Sequence, residues 1–465
     1  MQKTITIFLL ICLTFPVFAQ KNTRIEIKIE NIQDSLFYLG SYYGNKSVVV
    51  DTAGISDDII QFDKKDLKGG IYFLVSSKKR KMFELVVDQS RYFSITTDTS
   101  AFIEKALIKG SPENELFFDY VSITNRMHDS VRHLQMKLGE GNLTNEESAE
   151  LRAQLAQINE YVVEYKKDFM EQHPEHVLSL VFRMIRKVDI PDSIRTAGNP
   201  ALEYRYYKNH YWDEIDLSDE RILRTPSFYD KLNTYFTKVI PQHPDSIIRE
   251  IDQIISKIGD SDELYNYLIW HFIEQYDQEK IMGFDKIFVH LAEQYFRNND
   301  RINTTASVKK QIIERAEKLS PILLGSKAPN LILLDTSNNF RSFFDIDSEF
   351  TVLFFWDQDC GVCKDEIKVL KSLTDTSKLE LEIFAICTDT NLRAWKSKIK
   401  KYEISDWINT NGTRSITQDY HDLYDVYGTP LIFVLNRRKE IIAKKISADQ
   451  IAPFLYQVKK RNADE

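Results

Sequence analysis

The sequence predicts a multidomain protein with an N-terminal all-β sandwich, a middle all-α domain and a C-terminal α/β domain. Three observations lead to this prediction. Short runs of alternating apolar and polar residues occupy positions 20–110, helical periodicity dominates positions 111–320, and strand-like and helix-like segments alternate over positions 321–465. The length of 465 residues agrees with this division, because domains average about 100–200 residues.

Composition and charge exclude several classes of protein. The hydrophobic fraction of 43% is too high for a disordered chain. The formal net charge of −8 argues against a nucleic-acid-binding protein, which usually carries a basic surplus. Four cysteines are too few for a disulfide-stapled scaffold, so their positions carry more information than their number.

Residues 1–19 have the layout of a secretory signal peptide. Lys3 precedes an apolar run at positions 5–15, and Ala19 ends a small-residue cleavage pattern. The run is shorter than the roughly 20 residues that a membrane span needs, and no later stretch is long and apolar enough for one. Cys12 lacks the small preceding residue of a lipoprotein signal, so lipidation is the less favoured alternative. We expect cleavage after Ala19 and export to the periplasm or cell envelope.

Residues 20–110 contain the strand-like runs. Arg24–Glu30 alternates strictly, which is typical of a strand with one buried face. Similar short runs follow at close spacing, with turn residues such as Gly44 and Asn45 between them. About seven short strands at this spacing indicate a small β-sandwich. The region shows no catalytic constellation, so we interpret it as a binding or packing module.

Residues 111–320 show helical periodicity almost throughout. Ser111 followed by Pro112 is a typical helix start, and the longest candidates cover positions 113–138 and 146–172. Apolar residues recur along these segments at the spacing of packed helices. This pattern predicts a helical domain of roughly 200 residues.

Two motifs in the helical region suggest other functions. His173 and His176 resemble a metal-binding pair, but Pro174 lies between them and breaks the helix that a zinc motif would need. We therefore expect no metal there. The aromatic run at positions 204–212 could stack on bases, but the acidic balance and the expected export oppose nucleic acid. Packing between helices is the favoured interpretation, and a peptide or sugar groove stays open.

A Cys-x-x-Cys pair lies at a strand-to-helix junction in the last region. Phe350–Trp356 is a continuous apolar run, as expected of a central strand that is buried on both faces. Cys360 and Cys363 follow it, and the apolar residues after them recur at helical spacing. The first cysteine would cap the helix, whose free N–H groups and dipole favour a thiolate.

This position suggests redox chemistry. Cys363 lies about one turn from Cys360, which is close enough for a small disulfide. Cys360 would attack a partner disulfide, and Cys363 would resolve the mixed disulfide. A zinc site would need a second cysteine pair, which the sequence lacks. A structural disulfide would close too short a loop to stabilise much.

Three motifs together resemble the thioredoxin superfamily, specifically its TlpA/ResA-like exported branch, over about residues 325–460. Gly325–Asn330 is similar to the opening motif of that branch, and Phe354–Trp356 is similar to its strand before the cysteines. Tyr424–Val434 matches its cis-proline segment. The resemblance implies a thioredoxin-like fold and a thiol–disulfide oxidoreductase that acts on protein disulfides.

The resemblance also implies further site residues. It places a cis peptide bond before Pro430, with an ordinary trans-proline at a strand start as the alternative, and it pairs the backbone of Thr429 with the substrate. Pro430 and Trp356 complete the predicted substrate-binding set. Glu366 stands where the branch has a glutamate near the second cysteine. A partly buried carboxylate there could accept a proton from Cys363. An exposed helix-surface glutamate is the alternative.

The sequence departs from the family pattern around the cysteines. Asp359 replaces the usual tryptophan and Val362 the usual proline. Asp357, Asp359 and Asp365 crowd the site with negative charge, which opposes thiolate formation at Cys360, and Lys364 offsets this in part. These changes leave the redox potential and the direction of electron flow open.

The sequence therefore favours an exported thiol–disulfide oxidoreductase, working as a reductase on envelope proteins and re-reduced by a membrane electron donor, without metal or organic cofactor. The alternative is a binding or scaffolding protein that uses the C-terminal domain for docking. Peroxidase activity has less support, because residues 355–359 before Cys360 lack the proline and threonine of a peroxidatic motif. Cys387 is expected to be a buried, inert thiol, with a third redox cysteine as the alternative.

Overall fold

The computed structural model describes residues 22–140, 143–277 and 281–464. The predicted signal peptide, residues 1–19, lies outside the described residues. Backbone contacts divide the chain into two compact units after Ile240, with residues 258–261 joining the first unit and residues 241–257 the second. The predicted helical segment contributes helices to both units.

The first unit opens with eight β-strands. They are β1 (Asn22–Glu30), β2 (Leu36–Tyr43), β3 (Lys46–Ser56), β4 (Ile59–Lys65), β5 (Gly70–Ser76), β6 (Lys81–Val87), β7 (Tyr92–Asp98) and β8 (Leu107–Lys109). Their order is β6-β5-β2-β3-β4-β1-β7-β8. All neighbours pair antiparallel except β1 and β7, which run parallel.

A single core joins the two halves of this sheet. β3 pairs with β2 over residues 46–54 and with β4 at only two positions, so one short link joins the two sets of strands. Ile27 of β1 and Ile95 of β7 belong to the same buried cluster as Leu39 of β2 and Leu74 of β5. The alternation in β1 buries its isoleucines and leaves its charged residues exposed or half-buried, as the sequence predicts. The predicted all-β sandwich is confirmed.

Helices complete the first unit. They are α1 (Pro112–Gly139), α2 (Asn145–Gln172), α3 (Val177–Ile185), α4 (Asp192–Arg195), α5 (Pro200–Asn209) and α6 (Phe228–Thr234), which a π-helical turn extends over Tyr235–Val239. Asn114 in the first turn of α1 fixes this helix to the sheet, because its side-chain amide exchanges two 2.7 Å hydrogen bonds with the backbone of Val86.

The two motifs of the helical region have structural explanations. His176 is the N-cap of α3: its Nδ1 accepts from the N–H of Leu178 at 3.0 Å, and its Nε2 lies 2.9 Å from the carbonyl oxygen of Glu113. In the aromatic run, Tyr211 and Trp212 are buried against Tyr235, with ring centroids 4.9 and 5.4 Å from that ring. Packing between helices therefore accounts for the buried end of the run.

The second unit begins with four helices. They are α7 (Pro244–Ser256), α8 (Asp262–Tyr276), α9 (Asp285–Leu291), which a π-helical segment extends over Ala292–Arg297, and α10 (Ala306–Leu319). Their apolar faces are buried, and no helix within the described ranges is long and apolar enough to cross a membrane. The middle helical region of the predicted fold class is confirmed.

A mixed sheet with flanking helices forms the rest of the second unit. The strands are β9 (Ile332–Asp335), β10 (Phe340–Ser342), β11 (Phe350–Trp356), β12 (Leu381–Cys387), β13 (Ile408–Ser415), β14 (Leu431–Asn436) and β15 (Ile441–Lys444). The helices are α11 (Gly361–Thr376), α12 (Leu392–Lys401), α13 (Tyr420–Tyr424) and α14 (Ala448–Asp464). The strand order is β10-β9-β13-β12-β11-β14-β15.

The central position of β11 explains where the site forms. β11 pairs parallel with β12 and antiparallel with β14, and each of its residues is buried. Its carboxyl end therefore lies beside the carboxyl end of β12 and the amino end of β14. Loops that leave these three ends converge at one edge of the sheet. The predicted α/β class of the C-terminal domain is confirmed.

Candidate active site

Cys360 and Cys363 form a disulfide at the N-terminus of α11, with their Cα atoms 5.3 Å apart. Cys360 is the N-cap residue, with φ −75° and ψ 114°, and its Sγ accepts a hydrogen bond from the N–H of Cys363 at 3.1 Å. The sulfur thus occupies the place where helices attract negative charge. A thiolate formed at Cys360 by reduction would be stabilised by this N–H group.

The two sulfurs differ in accessibility. Cys363 is 0% exposed and belongs to the core cluster between the sheet and α11, whereas Cys360 is only partly buried. A partner molecule can therefore reach Cys360 and not Cys363. This difference fits an attacking first cysteine and a resolving second one, which stay predictions.

Thr429 and Pro430 lie beside the disulfide. The peptide bond between them is cis, and the carbonyl oxygen of Thr429 is 3.5 Å from Sγ of Cys360. Both residues are partly exposed. They precede β14, whose first residue Leu431 pairs with Phe355 near the end of β11, and this register brings the loop to the cysteines.

Trp356 does not line this surface. It is 0% exposed and packs in the same core cluster as Cys363, with its ring 6.4 Å from that of Tyr402. A fully enclosed side chain cannot contact a substrate at the surface. The prediction that Trp356 binds substrate is therefore wrong, and its position at the end of a strand buried on both faces is the reason.

Glu366 is partly buried and bonds to the neighbouring helix. Its Oε2 accepts a hydrogen bond from the backbone N–H of Ala448 at 2.6 Å, at the first residue of α14. A carboxylate at a helix N-terminus satisfies a free N–H group and interacts favourably with the dipole. Glu366 thus joins α11 to α14. Its role as proton acceptor for Cys363 stays a prediction.

Three carboxylates cluster next to the cysteines, but they are not the three that the sequence suggested. One oxygen each of Asp357, Asp359 and Asp389 lie within 4.8 Å of one another. Asp365 is exposed and pairs instead with Lys368 at 2.7 Å. The sequence contains a signal that could have indicated Asp389. This residue follows β12 as Asp357 follows β11, and the carboxyl ends of neighbouring parallel strands lie side by side.

Lys398 supplies a positive charge at this cluster. Its Nζ lies 3.7 Å from Oδ1 of Asp359 and donates to the carbonyl oxygen of Gln358 at 3.0 Å. Carboxylate oxygens are ligands for hard cations, but an exposed acidic cluster is not by itself a metal site. We assign no metal here, and the expectation that negative charge beside Cys360 opposes its thiolate stays a prediction.

Cys387 is the free cysteine of the described residues, and it is fully buried. Burial raises the pKa of its thiol to about 12, and the nearby carboxylates of Asp357 and Asp389 add to the effect. The thiol therefore stays protonated and unreactive at neutral pH. The structure agrees with the expectation of an inert thiol.

Comparison with protein families decides the identity of the C-terminal domain. Residues 324–444 match the model of the AhpC/TSA family. The C-terminal domain belongs to the thioredoxin-like family. The preceding segments of the chain match two domains of unknown function, DUF4369 over residues 23–117 and DUF5106 over residues 145–319. These two matches assign the accessory regions to domain families for which no function is known.

Solved structures similar to the chain include thioredoxin-like proteins. A domain of a possible thiol-disulfide isomerase from Cytophaga hutchinsonii has 33% identity, with 31% of this chain and 99% of that chain covered and a TM-score of 0.30. A thioredoxin-like protein from Bacteroides caccae has 18% identity, 58% and 97% coverage and a TM-score of 0.45. A thiol-disulfide oxidoreductase from Bacteroides fragilis has 20% identity, 29% and 99% coverage and a TM-score of 0.26. No curated protein matches the chain.

Proposed function

We propose that this protein is an exported thiol–disulfide oxidoreductase that reduces disulfides in proteins of the cell envelope. The observation that carries the proposal is the disulfide between Cys360 and Cys363 at the N-terminus of α11, with the carbonyl of Thr429 beside the accessible sulfur. The thioredoxin-like family of the domain supports the same chemistry. The disulfide form is the oxidised product of the reductase cycle.

Two exchange steps transfer the electrons. In the reduced protein, the thiolate of Cys360 attacks one sulfur of a substrate disulfide, forms a mixed disulfide and releases the other substrate sulfur as a thiolate. Cys363, after loss of its proton, attacks Sγ of Cys360, forms the intramolecular disulfide and releases the second substrate thiolate. The substrate gains two electrons, and the cysteine pair loses two.

The surroundings fit these two steps. The N–H of Cys363 lies where it stabilises a thiolate at Cys360. Glu366, three residues after Cys363, is the proposed acceptor of the proton that Cys363 loses. Because Cys363 is enclosed, its attack is directed at the bound mixed disulfide rather than at molecules in solution.

The loop at Thr429 is the proposed binding site for the substrate backbone. Its residues are partly exposed next to Cys360, so an extended chain placed there would bring its own sulfur to Cys360. The cycle then needs a dithiol donor that reduces the disulfide again. We propose a membrane electron donor for this step, in keeping with the predicted signal peptide.

A redox titration of the full chain tests the proposed activity. We expect a reversible two-electron couple that is lost in Cys360→Ser and kept in the control Cys387→Ser, together with reduction of insulin disulfides in the presence of dithiothreitol. A disulfide that stays oxidised throughout the titration, with no insulin reduction, would contradict the proposal and favour the scaffolding function.

Cell fractionation tests the proposed location separately. The expected result is a periplasmic or envelope protein whose N-terminal residue is Gln20. A cytoplasmic protein that keeps residues 1–19 would contradict export without affecting the proposed chemistry.

A further inference from the structure

The cis-proline segment, which begins at Tyr424, has a charged residue in an enclosed place near its start. Asp425 follows α13 with φ 55° and ψ 42°, in the left-handed region that aspartate tolerates better than most residues. Its side chain is only 3% exposed. A carboxylate in this position needs a partner within the fold, because burial of an unpaired charge is unfavourable.

Arg315 of α10 is that partner. Its guanidinium Nη1 donates a hydrogen bond to Oδ1 of Asp425 and forms an ion pair with it. α10 lies before residue 324, where the AhpC/TSA match begins, and within the segment that matches DUF5106. Both residues belong to the second compact unit. An accessory helix thus contacts the second residue of the cis-proline segment, directly after Tyr424.

Lys318 makes a second connection from the same helix. Its Nζ lies 2.9 Å from Oδ1 of Asp422 in α13 and donates to the hydroxyl oxygen of Tyr427 at 3.5 Å. Residues three apart share a helix face, so Lys318 and Arg315 point toward the same neighbour. Tyr427 is 73% exposed and stands two residues before Thr429.

The ends of the segment also have contacts with residues outside α10. On one side, the hydroxyl of Tyr424 donates to the carbonyl oxygen of Pro329, and its ring packs 5.4 Å from that of Phe355. On the other side, β14 pairs with β11 from Leu431 onward. The contacts of α10 with Asp425 and Tyr427 fall between these two ends, in the same stretch of chain as Thr429.

We propose that α10 is a positioning element for the cis-proline segment, and that Arg315 and Lys318 set how Thr429 presents a protein substrate to Cys360. The inference rests on the proposed function and gives part of the DUF5106 segment a role in it. Arg315 and Lys318 are positioning residues, because Arg315 acts through Asp425 and Lys318 acts through Asp422 and Tyr427. They affect binding of an extended substrate and leave the chemistry of the sulfurs unchanged.

Kinetics of Arg315→Met in the full chain test the inference. We expect KM for insulin to rise about tenfold, because small displacements of a positioning group have large effects. The equilibrium redox potential and the rate with a small aromatic disulfide, which needs no backbone pairing, should stay within about twofold of wild type. Arg315→Lys keeps the charge and should recover much of the loss.

Two further variants separate positioning from stability. Arg297→Met is the matched control, because Arg297 contacts α10 through Glu317 but makes its other ion pair with Glu293, within its own helical segment. Arg297→Met should leave the KM for insulin and the rate with the small disulfide unchanged. The double variant Arg315→Met/Asp425→Asn removes the buried charge together with its partner, so it should regain stability while KM stays high.

The outcomes distinguish this inference from the function on which it rests. If wild type exchanges disulfides and KM for insulin is unchanged in a folded Arg315→Met or in the double variant, the positioning role is wrong and the function stands. Equal losses of activity with insulin and with the small disulfide would also overturn the positioning role, since they would indicate a distorted cysteine site. An inactive wild type contradicts the function itself.

Discussion

Glu366 on α11 accepts a hydrogen bond from the backbone N–H of Ala448, so one carboxylate both lies a turn beyond Cys363 and caps α14. Two roles thus converge on this side chain. One is structural, because the capped N–H has no partner within its own helix. The other is the proposed acceptance of a proton from Cys363. Variants at this position can separate the roles.

The Glu366→Gln variant should lose proton acceptance and keep part of the cap. The amide oxygen can still accept from Ala448, so the free energy of unfolding should fall by only about 1 kcal/mol. The resolving step, followed by stopped-flow release of the second substrate thiol, should slow about tenfold or more at neutral pH. An unchanged rate and an unchanged titration of Cys363 would leave Glu366 with the structural role alone.

Removal of a negative charge beside the cysteines should favour the thiolate. In Asp357→Asn the amide oxygen can still accept from the N–H of Asp359, so the turn is kept while a charge is lost. We expect alkylation of Cys360 in the reduced protein to accelerate about threefold at pH 7, and the redox potential to become more oxidising.

Asp365→Asn is the control for this charge effect. Asp365 is exposed, lies outside the cluster and is paired with Lys368. Its replacement should leave the alkylation rate of Cys360 unchanged. Equal responses of the two variants would mean that the overall charge of the site matters and the cluster does not.

His271 should make the protein less stable in mild acid. Burial lowers its pKa from 6.5 to about 4, so between these values the unfolded chain binds more protons than the folded one. Stability therefore falls as the pH drops from 6.5 toward 4, by up to about 3 kcal/mol from this group. The free energy of unfolding, measured with denaturant at pH 7 and at pH 4.5, should differ less between the two pH values in His271→Gln than in wild type. His128→Gln, at an exposed position, should keep the wild-type difference.

Asn114 should be essential for the attachment of α1 to the sheet. Its side chain is 0% exposed and satisfies both the N–H and the carbonyl of Val86. Asn114→Ala leaves two buried backbone groups without partners, and we expect a loss of about 2–4 kcal/mol in the free energy of unfolding. Asn45→Ala, in an exposed turn, should change it by less than about 0.5 kcal/mol. A similar small change in both variants would show that water replaces the amide.

Elements with a strong local pattern could be predicted from the sequence. Phe350–Trp356 has the predicted bounds, and α1 and α2 begin and end within about one residue of the predicted 113–138 and 146–172, because apolar runs and periodicity report burial directly. The aromatic run at 204–212 does not continue as one helix: α5 ends at Asn209, and Tyr211 and Trp212 turn inward to pack on Tyr235. That packing depends on the helical segment that carries Tyr235, which lies more than 20 residues further along the chain.

The cysteines could be placed from the sequence, but their surroundings could not. Ala448 lies 82 residues from Glu366, and Asp425 lies 110 residues from Arg315. Contacts at such separations depend on the register of strands and the docking of helices, which local spacing does not encode. The error at Trp356 is different, because the same apolar run that predicted a strand buried on both faces also implied an enclosed side chain.

The parallel pairing of β1 with β7 has a consequence for how the chain folds. β1 lies inside its sheet, between β4 and β7, although it is the first strand of the described chain. One edge of β1 can pair only when β4 has been synthesised, up to residue 65, and the other edge only when β7 has been synthesised, up to residue 98. During synthesis, β1 therefore keeps an unpaired edge longer than any later strand of the sheet. Such long-range pairing makes folding slow and leaves an unpaired strand exposed to aggregation until β7 arrives. Deleting β1 would therefore split the sheet in its interior rather than shorten its border.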